Sequence, residues 1–216
     1  SGYGNQGGTG LFYFQTLSDD QAGNSFRNWS FQNIPASSSN WSNGWIEIRR
    51  ANILLENVDK VTMSDEAKAH WTGVGRLMRA WQYYQLVRAY GDVPWVEKSL
   101  DITDEGVLYG PRENRDIIMD NVLDDLNFAT QNMYDNNSKT TLNRNVAYAM
   151  KAEICLFEGT FRKYRSAADG QTAPDLAGST SFLNETKSAA SYLMNKSFSL
   201  NSSYQGNYNS LDLGAN

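Results

Sequence analysis

Gly75-Arg76-Leu77-Met78-Arg79-Ala80-Trp81-Gln82-Tyr83-Tyr84-Gln85-Leu86-Val87-Arg88-Ala89-Tyr90-Gly91-Asp92-Val93-Pro94 decides the fold class. Apolar side chains recur at 77, 78, 81, 84 and 87, the spacing that gathers them on one face of an α-helix. Gly91 supplies the residue that reaches the left-handed backbone at a helix end, and Pro94 blocks continuation. At the other end, Ser64 is a good cap for free amide groups, and Asp65 and Glu66 oppose the helix dipole. The pattern predicts a helix from 65 to 90 with one buried face.

The same periodicity extends outward in both directions. It predicts a helix over 41–59 with positions 41, 45, 48, 55 and 58 inward. Another spans 114–133, with 118, 122, 126, 129 and 133 inward, and is broken by Asn136-Asn137-Ser138. A third runs from after Asn143 to about 164, with 147, 150, 154, 157 and 161 inward, and a last one covers 181–195. Residues 91–112 and 165–180 read as loops, the second holding Gly170, Pro174 and Gly178. Small residues (Ala80, Ala147, Ala149, Ala152) sit beside large aromatics (Trp81, Tyr84, Phe157), which suits closely packed helix pairs. The predicted fold is all-α, a degenerate tetratricopeptide-like stack without strict repeats. Its predicted organisation is a loop-rich region over 1–40, a helical domain over 41–200, and a polar stretch over 201–216 that begins a further part.

Composition narrows the function classes. The chain has 216 residues, 40% hydrophobic and 20% charged, enough to bury a core. A net charge of −5 lacks the basic footprint of a nucleic-acid binder. One Cys, Cys155, allows no internal disulfide and sits in an apolar helical pattern, as a small buried thiol does. One His, His70, leaves little material for a catalytic triad or a zinc site, so no metal is expected. Paired carboxylates suited to glycoside hydrolysis occur at Asp19/Asp20, Asp101/Asp104/Glu105 and Asp124/Asp125. Asp124 and Asp125 follow Asp120 by about a helical turn and read as a solvated face. Asp19/Asp20 fit a loop that binds sugar hydroxyls or Ca²⁺, or one that is simply soluble. Gly7-Gly8-Thr9-Gly10 lacks the Gly-Lys-Ser/Thr ending of a phosphate loop.

The aromatics carry the positive case: 6 Trp, 12 Tyr and 9 Phe, with a surplus in polar stretches where no core is evident. A protein holds a sugar with an aromatic ring against its C–H face and Asp, Asn, Gln or Arg on its hydroxyls. The segment Asp19-Asp20-Gln21-Ala22-Gly23-Asn24-Ser25-Phe26-Arg27-Asn28-Trp29-Ser30-Phe31-Gln32-Asn33 has that composition. The alternative for Trp29 and Phe31 is to pin the loop to the helices. Trp41 and Trp45, at helical spacing, read as core.

Four blocks resemble a known family in order. Trp41-Ser42-Asn43-Gly44-Trp45-Ile46-Glu47-Ile48-Arg49-Arg50-Ala51-Asn52-Ile53-Leu54-Leu55-Glu56-Asn57-Val58 is similar to the W-x-x-x-Y-x-x-I-x-x-A-N-x-x-L-x-x-I helix of the SusD/RagB nutrient-binding lipoproteins, with Trp45 in the usual Tyr place. The Tyr90-Gly91-Asp92-Val93-Pro94 stop, Pro111-Arg112 leading into Asp124-Asp125-Leu126-Asn127-Phe128-Ala129, and Ala147-Tyr148-Ala149-Met150-Lys151-Ala152-Glu153-Ile154-Cys155-Leu156 resemble the others. The resemblance implies a non-catalytic glycan-binding protein without a cofactor. It also implies a SusC-like TonB-dependent outer-membrane transporter as partner and an oligosaccharide as ligand. It further implies a cell-surface-exposed lipoprotein of the Bacteroidetes-type outer membrane, whose signal and lipid-bearing Cys lie upstream of Ser1, with this chain as an N-terminal portion. Asp19-Asp20 resemble the family's Thr-Asp-Glu position, and by that likeness Asp20, Arg27, Trp29 and Asn33 are the expected glycan contacts. Two other readings stand beside it: a helical-repeat scaffold that binds only protein, and a glycosidase of helical architecture using Asp19 or Asp20.

Overall fold

A computed structural model describes residues 37–136, 138, 140–167, 173–196 and 198. The expected glycan contacts Asp20, Arg27, Trp29 and Asn33, the Asp19/Asp20 pair, and the segment 201–216 lie outside the described residues. From Ser38 on, the described residues belong to one compact unit.

The helices are α1 (Ser39–Asn57), continued by a 3-10 turn at Val58–Lys60, α2 (Asp65–Tyr90), α3 (Glu105–Leu108), α4 (Arg115–Asn132), α5 (Arg144–Tyr164) and α6 (Leu176–Met194). Among the described residues there is no named strand, only an isolated antiparallel bridge between Val93 and Glu113. The four expected long helices before 165 form where the periodicity places them, within a residue or two. Their ends are set by side chains. Ser64 Oγ accepts the Ala67 N–H at 3.2 Å, Asn114 caps α4 at 2.8 Å, and Asn143 caps α5 at 3.2 Å. Gly91 ends α2 with φ 70°, and its N–H donates to Val87 O at 2.9 Å.

Packing follows chain order: α1 on α2, α2 on α4, α4 on α5, α5 on α6. Each inner long helix, α2, α4 and α5, therefore buries surface on two neighbours, the arrangement of stacked helix pairs. The core holds Ile48, Leu77, Ala80, Tyr83, Ile118, Met119, Val122, Leu126, Ala129, Met133, Ala147 and Ile154. Close approach of α2 to α4 requires Gly73, where a Cβ would sit 2.7 Å from Met133 Cγ.

Four expectations need correction. The one-faced stripe of α2 is too narrow, because Gly73, Arg79 and Tyr83 are buried along with Leu77, Tyr84 and Val87. A helix between two partners has little exposed face left. The last helix begins at Leu176 rather than 181, because the Asp175 carboxylate caps it, accepting the Gly178 N–H at 2.9 Å. The loop over 91–112 contains the one-turn helix α3. Ala149 is exposed, so it is not part of the close packing.

Candidate functional site

The loop after α2 is fixed by a chain of buried polar contacts that starts inside the core. Arg79, 5% exposed, donates from Nε and Nη2 to the Asp125 carboxylate at 2.7 and 2.8 Å. This bidentate geometry directs the third guanidinium nitrogen, Nη1, to Asn52 Oδ1 at 3.2 Å. Asn52, fully buried on α1, then spends both amide hydrogens on the loop, donating to Val96 O at 3.0 Å and Lys98 O at 3.1 Å. The Tyr83 hydroxyl donates to Val96 O at 3.2 Å and accepts the Val96 N–H at 2.6 Å. Burial pushes the Tyr83 phenol well above its ordinary value, so it stays a neutral donor. Burial also pushes the Asp125 carboxyl up, against the opposing pull of Arg79.

This corrects the solvated-face reading of Asp125, which is 2% exposed; Asp124 is exposed as expected. Asn52 was hidden in plain view. It shares the apolar stripe of α1 with Ile48 and Leu55, and a polar side chain there calls for a partner.

Further contacts complete the loop. Arg49 donates to Leu100 O, and the Glu56 carboxylate accepts the Ser99 N–H at 2.6 Å and its hydroxyl at 2.5 Å. Those bonds from Ser99 hold the exposed Glu56 carboxyl below its usual range. Lys98 Nζ donates to Asp104 at 2.6 Å, and Asp104 also accepts the Asp101 N–H at 2.8 Å. The carboxylates Asp101 and Asp104 are thus occupied in shaping a turn.

Between α1 and this loop lies a cleft of about 320 Å³. Trp41 and Trp45 form one wall; Pro94, Leu100, Val107 and Leu108 form much of the other; Arg49, Asn52 and Lys98 supply its polar atoms. The two indoles meet edge to face at 5.4 Å, and Arg112 sits over the Trp41 ring at 5.2 Å. Trp41 and Trp45 are half-buried: they pack on the core with one edge and border open space with another. The expectation that they are simply core residues is corrected to that extent.

The other chemical candidates are structural. His70 stacks on Tyr134 at 3.9 Å, and its Nδ1 accepts the Tyr134 N–H at 3.1 Å, with its pKa lowered by burial. The Cys155 thiol is buried and pushed up to about 12, which makes it a poor nucleophile. Among the described residues no three His, Cys, Asp or Glu side chains gather as a metal site, and no helix is long and apolar enough to cross a membrane.

Comparison with known proteins now places the chain. The SusD-like family profile described as "starch-binding associating with outer membrane" matches residues 6–156. The chain belongs to the SusD-like family. Among its relatives, SusD-like protein P38 of Formosa agariphila is 25% identical over 128 residues, covering 59% of this chain and 24% of that protein. A chain solved with xylogluco-oligosaccharide shares the fold at a TM-score of 0.58 and 21% identity, over 75% of this chain and 30% of that one. A laminarin-binding SusD-like protein does so at 0.53 and 22%, over 69% and 29%. The chain spans about a quarter or less of the length of the curated relatives it matches. The tetratricopeptide-like helix stack is therefore the SusD-like helical fold, and the Tyr-Gly-Asp-Val-Pro stop with its Asn52 latch is how this member builds it.

Proposed function

We propose that this chain is the N-terminal portion of a non-catalytic, cell-surface lipoprotein that captures oligosaccharide and delivers it to a SusC-like TonB-dependent transporter. Membership of the SusD-like family over residues 6–156 is the observation that carries this reading. The names of relatives support it, one binding laminarin and another solved with a xyloglucan fragment. The chemistry agrees with a binding role. The His and the Cys are committed to packing, and three of the five described candidate carboxylates, Asp101, Asp104 and Asp125, are committed to turns and ion pairs, with Glu105 and Asp124 exposed.

In this reading Asp20, Arg27, Trp29 and Asn33 contribute glycan contacts, with Trp29 offering a ring face and the others meeting hydroxyls. The test is a titration of the whole protein with a broad panel of neutral and charged oligosaccharides, together with a pull-down from outer membranes. Binding that weakens on Trp29→Ala, and co-purification of a β-barrel transporter, are expected. Silence across the panel with no barrel recovered would overturn the proposal. Turnover of any glycan, lost on Asp20→Asn, would replace it with the glycosidase reading.

A further inference from the structure

The lining of the cleft between α1 and the 91–112 loop is opposite in sign to the chain's net charge, with Asp104 pairing Lys98 from outside it. The chain as a whole carries −5. The cleft wall carries two cations, Arg49 and Lys98, and no carboxylate among its lining residues. The remaining wall is aromatic and aliphatic: Trp41, Trp45, Ile48, Pro94, Val96, Leu100, Val107 and Leu108. Val107 and Leu108 are 38% and 47% exposed, so the mouth presents uncovered apolar edge.

The polar groups deeper in the wall are already used. The Asn52 amide donates both hydrogens to the loop and accepts from Arg79. A neutral, hydroxyl-rich ligand would find few free partners there. The cations have capacity left. Arg49 is exposed and spends one nitrogen on Leu100 O; Lys98 spends one bond on Asp104, and an ammonium has three hydrogens. A guanidinium fork matches a planar carboxylate in shape as well as charge.

We propose that this cleft is a subsite for an anionic sugar unit, a hexuronate whose carboxylate meets Arg49 and Lys98 while its C–H face lies on the Trp41/Trp45 wall. The inference rests on the glycan-capture reading above and narrows its substrate class to acidic polysaccharide. The latch from Asp125 through Arg79 and Asn52 then has a purpose in binding: it holds the wall bearing Lys98 and Leu100 at a fixed distance from α1.

The test titrates the whole protein with oligogalacturonate and with the same oligosaccharide after carboxyl reduction, followed by calorimetry. The acid form should bind about tenfold tighter or more, the worth of a charge-assisted contact, and the preference should shrink as salt is raised. Arg49→Gln should erase it. Because that change also removes the bond to Leu100, Lys98→Gln is the second variant, expected to cut the preference while leaving the loop's attachment through Arg49 and Asn52 in place. Equal binding of acid and reduced forms, unchanged by Lys98→Gln, overturns the subsite and leaves glycan capture standing. Failure of every glycan to bind removes both. An oligosaccharide with no carboxylate, charged only through sulfate esters, that binds as tightly as the uronate overturns the carboxylate assignment. An acidic peptide that displaces the uronate at similar concentration overturns the sugar assignment.

Discussion

Behind the cleft, Arg79 has one carboxylate, Asp125, and one amide, Asn52; among α4, α5 and α6, Glu158 faces two guanidinium groups, as does the Asp116 carboxylate beside it. Glu158 is fully buried and accepts from Arg115 at 2.5 Å and from Arg162 at 2.7 Å. Arg162 goes on to Asp120 at 2.7 Å, Asp175 at 3.2 Å and the Asp116 carbonyl at 2.9 Å, and Arg165 meets the Asp116 carboxylate at 2.6 Å. The second cluster joins three helices through many bonds. The first is a short line from the core to a loop. Buried charge is costly to desolvate, which offsets much of what either arrangement contributes to stability. The branched cluster fixes how α4, α5 and α6 sit against one another, whereas the line sets where a loop stands beside a cleft. The difference teaches that one fold uses the same chemistry for two ends, fastening in one place and positioning in the other.

The comparison breaks most visibly at Glu158. Glu158→Ala leaves Arg115 and Arg162 buried without their shared anion, and should cost about 3–5 kcal/mol in thermal or urea unfolding, with the loop over 91–112 keeping its native tryptophan emission until the whole unit melts. A loss under 1 kcal/mol would mean that water or the neighbouring Asp residues compensate. Next in size, Asn52→Ala removes two donors to the loop and the acceptor for Arg79, at about 2–3 kcal/mol. Its signature is local, with faster proteolysis within 96–104 and a shift in tryptophan emission from the cleft. Global unfolding with no separable loop opening would erase the distinction between fastening and positioning.

Gly91→Ala forces a side chain into φ 70°, ψ −114° and should cost about 1–3 kcal/mol, sharpening how far the turn after α2 depends on backbone freedom rather than on the latch. The smallest effect is a pH dependence. Burial raises the Asp116 carboxyl, but the hydrogen bond from Arg165 and the charges of Arg162, Arg165 and Arg115 outweigh it and hold the group below its usual range. A depressed carboxylate contributes fully above the ordinary value of about 3.9, and that contribution is lost as pH falls through the folded value. Melting temperature should therefore drop at acid pH, and the drop should be shallower in Asp116→Asn. Identical acid profiles would show that Asp116 is not the group responsible.

The helices were legible because their signals are local. Ser64, Asn114 and Asn143 cap, Gly91 stops, and apolar residues return every three or four positions. The start of α6 was missed because Gly178 and the polar run before it read as loop, while the deciding cap at Asp175 also serves Arg162. The cleft was not legible. Trp41 and Trp45 have the spacing of core residues, and only the loop 44 to 46 positions beyond Asn52, fixed by that side chain, leaves space beside them.

The order of residues therefore determined by itself that this chain makes stacked helices, where the four long helices before 165 begin and end, and which family its motifs match, since periodicity, caps and motifs act within a few turns of backbone. Only the tertiary structure decided that Asp125, Arg79 and Glu158 are interior and that two tryptophans border open space with Arg49 and Lys98. A charged side chain is buried or solvated according to whether a partner 43 or 46 positions away arrives within hydrogen-bonding distance, and that is settled by helix packing, not by local sequence.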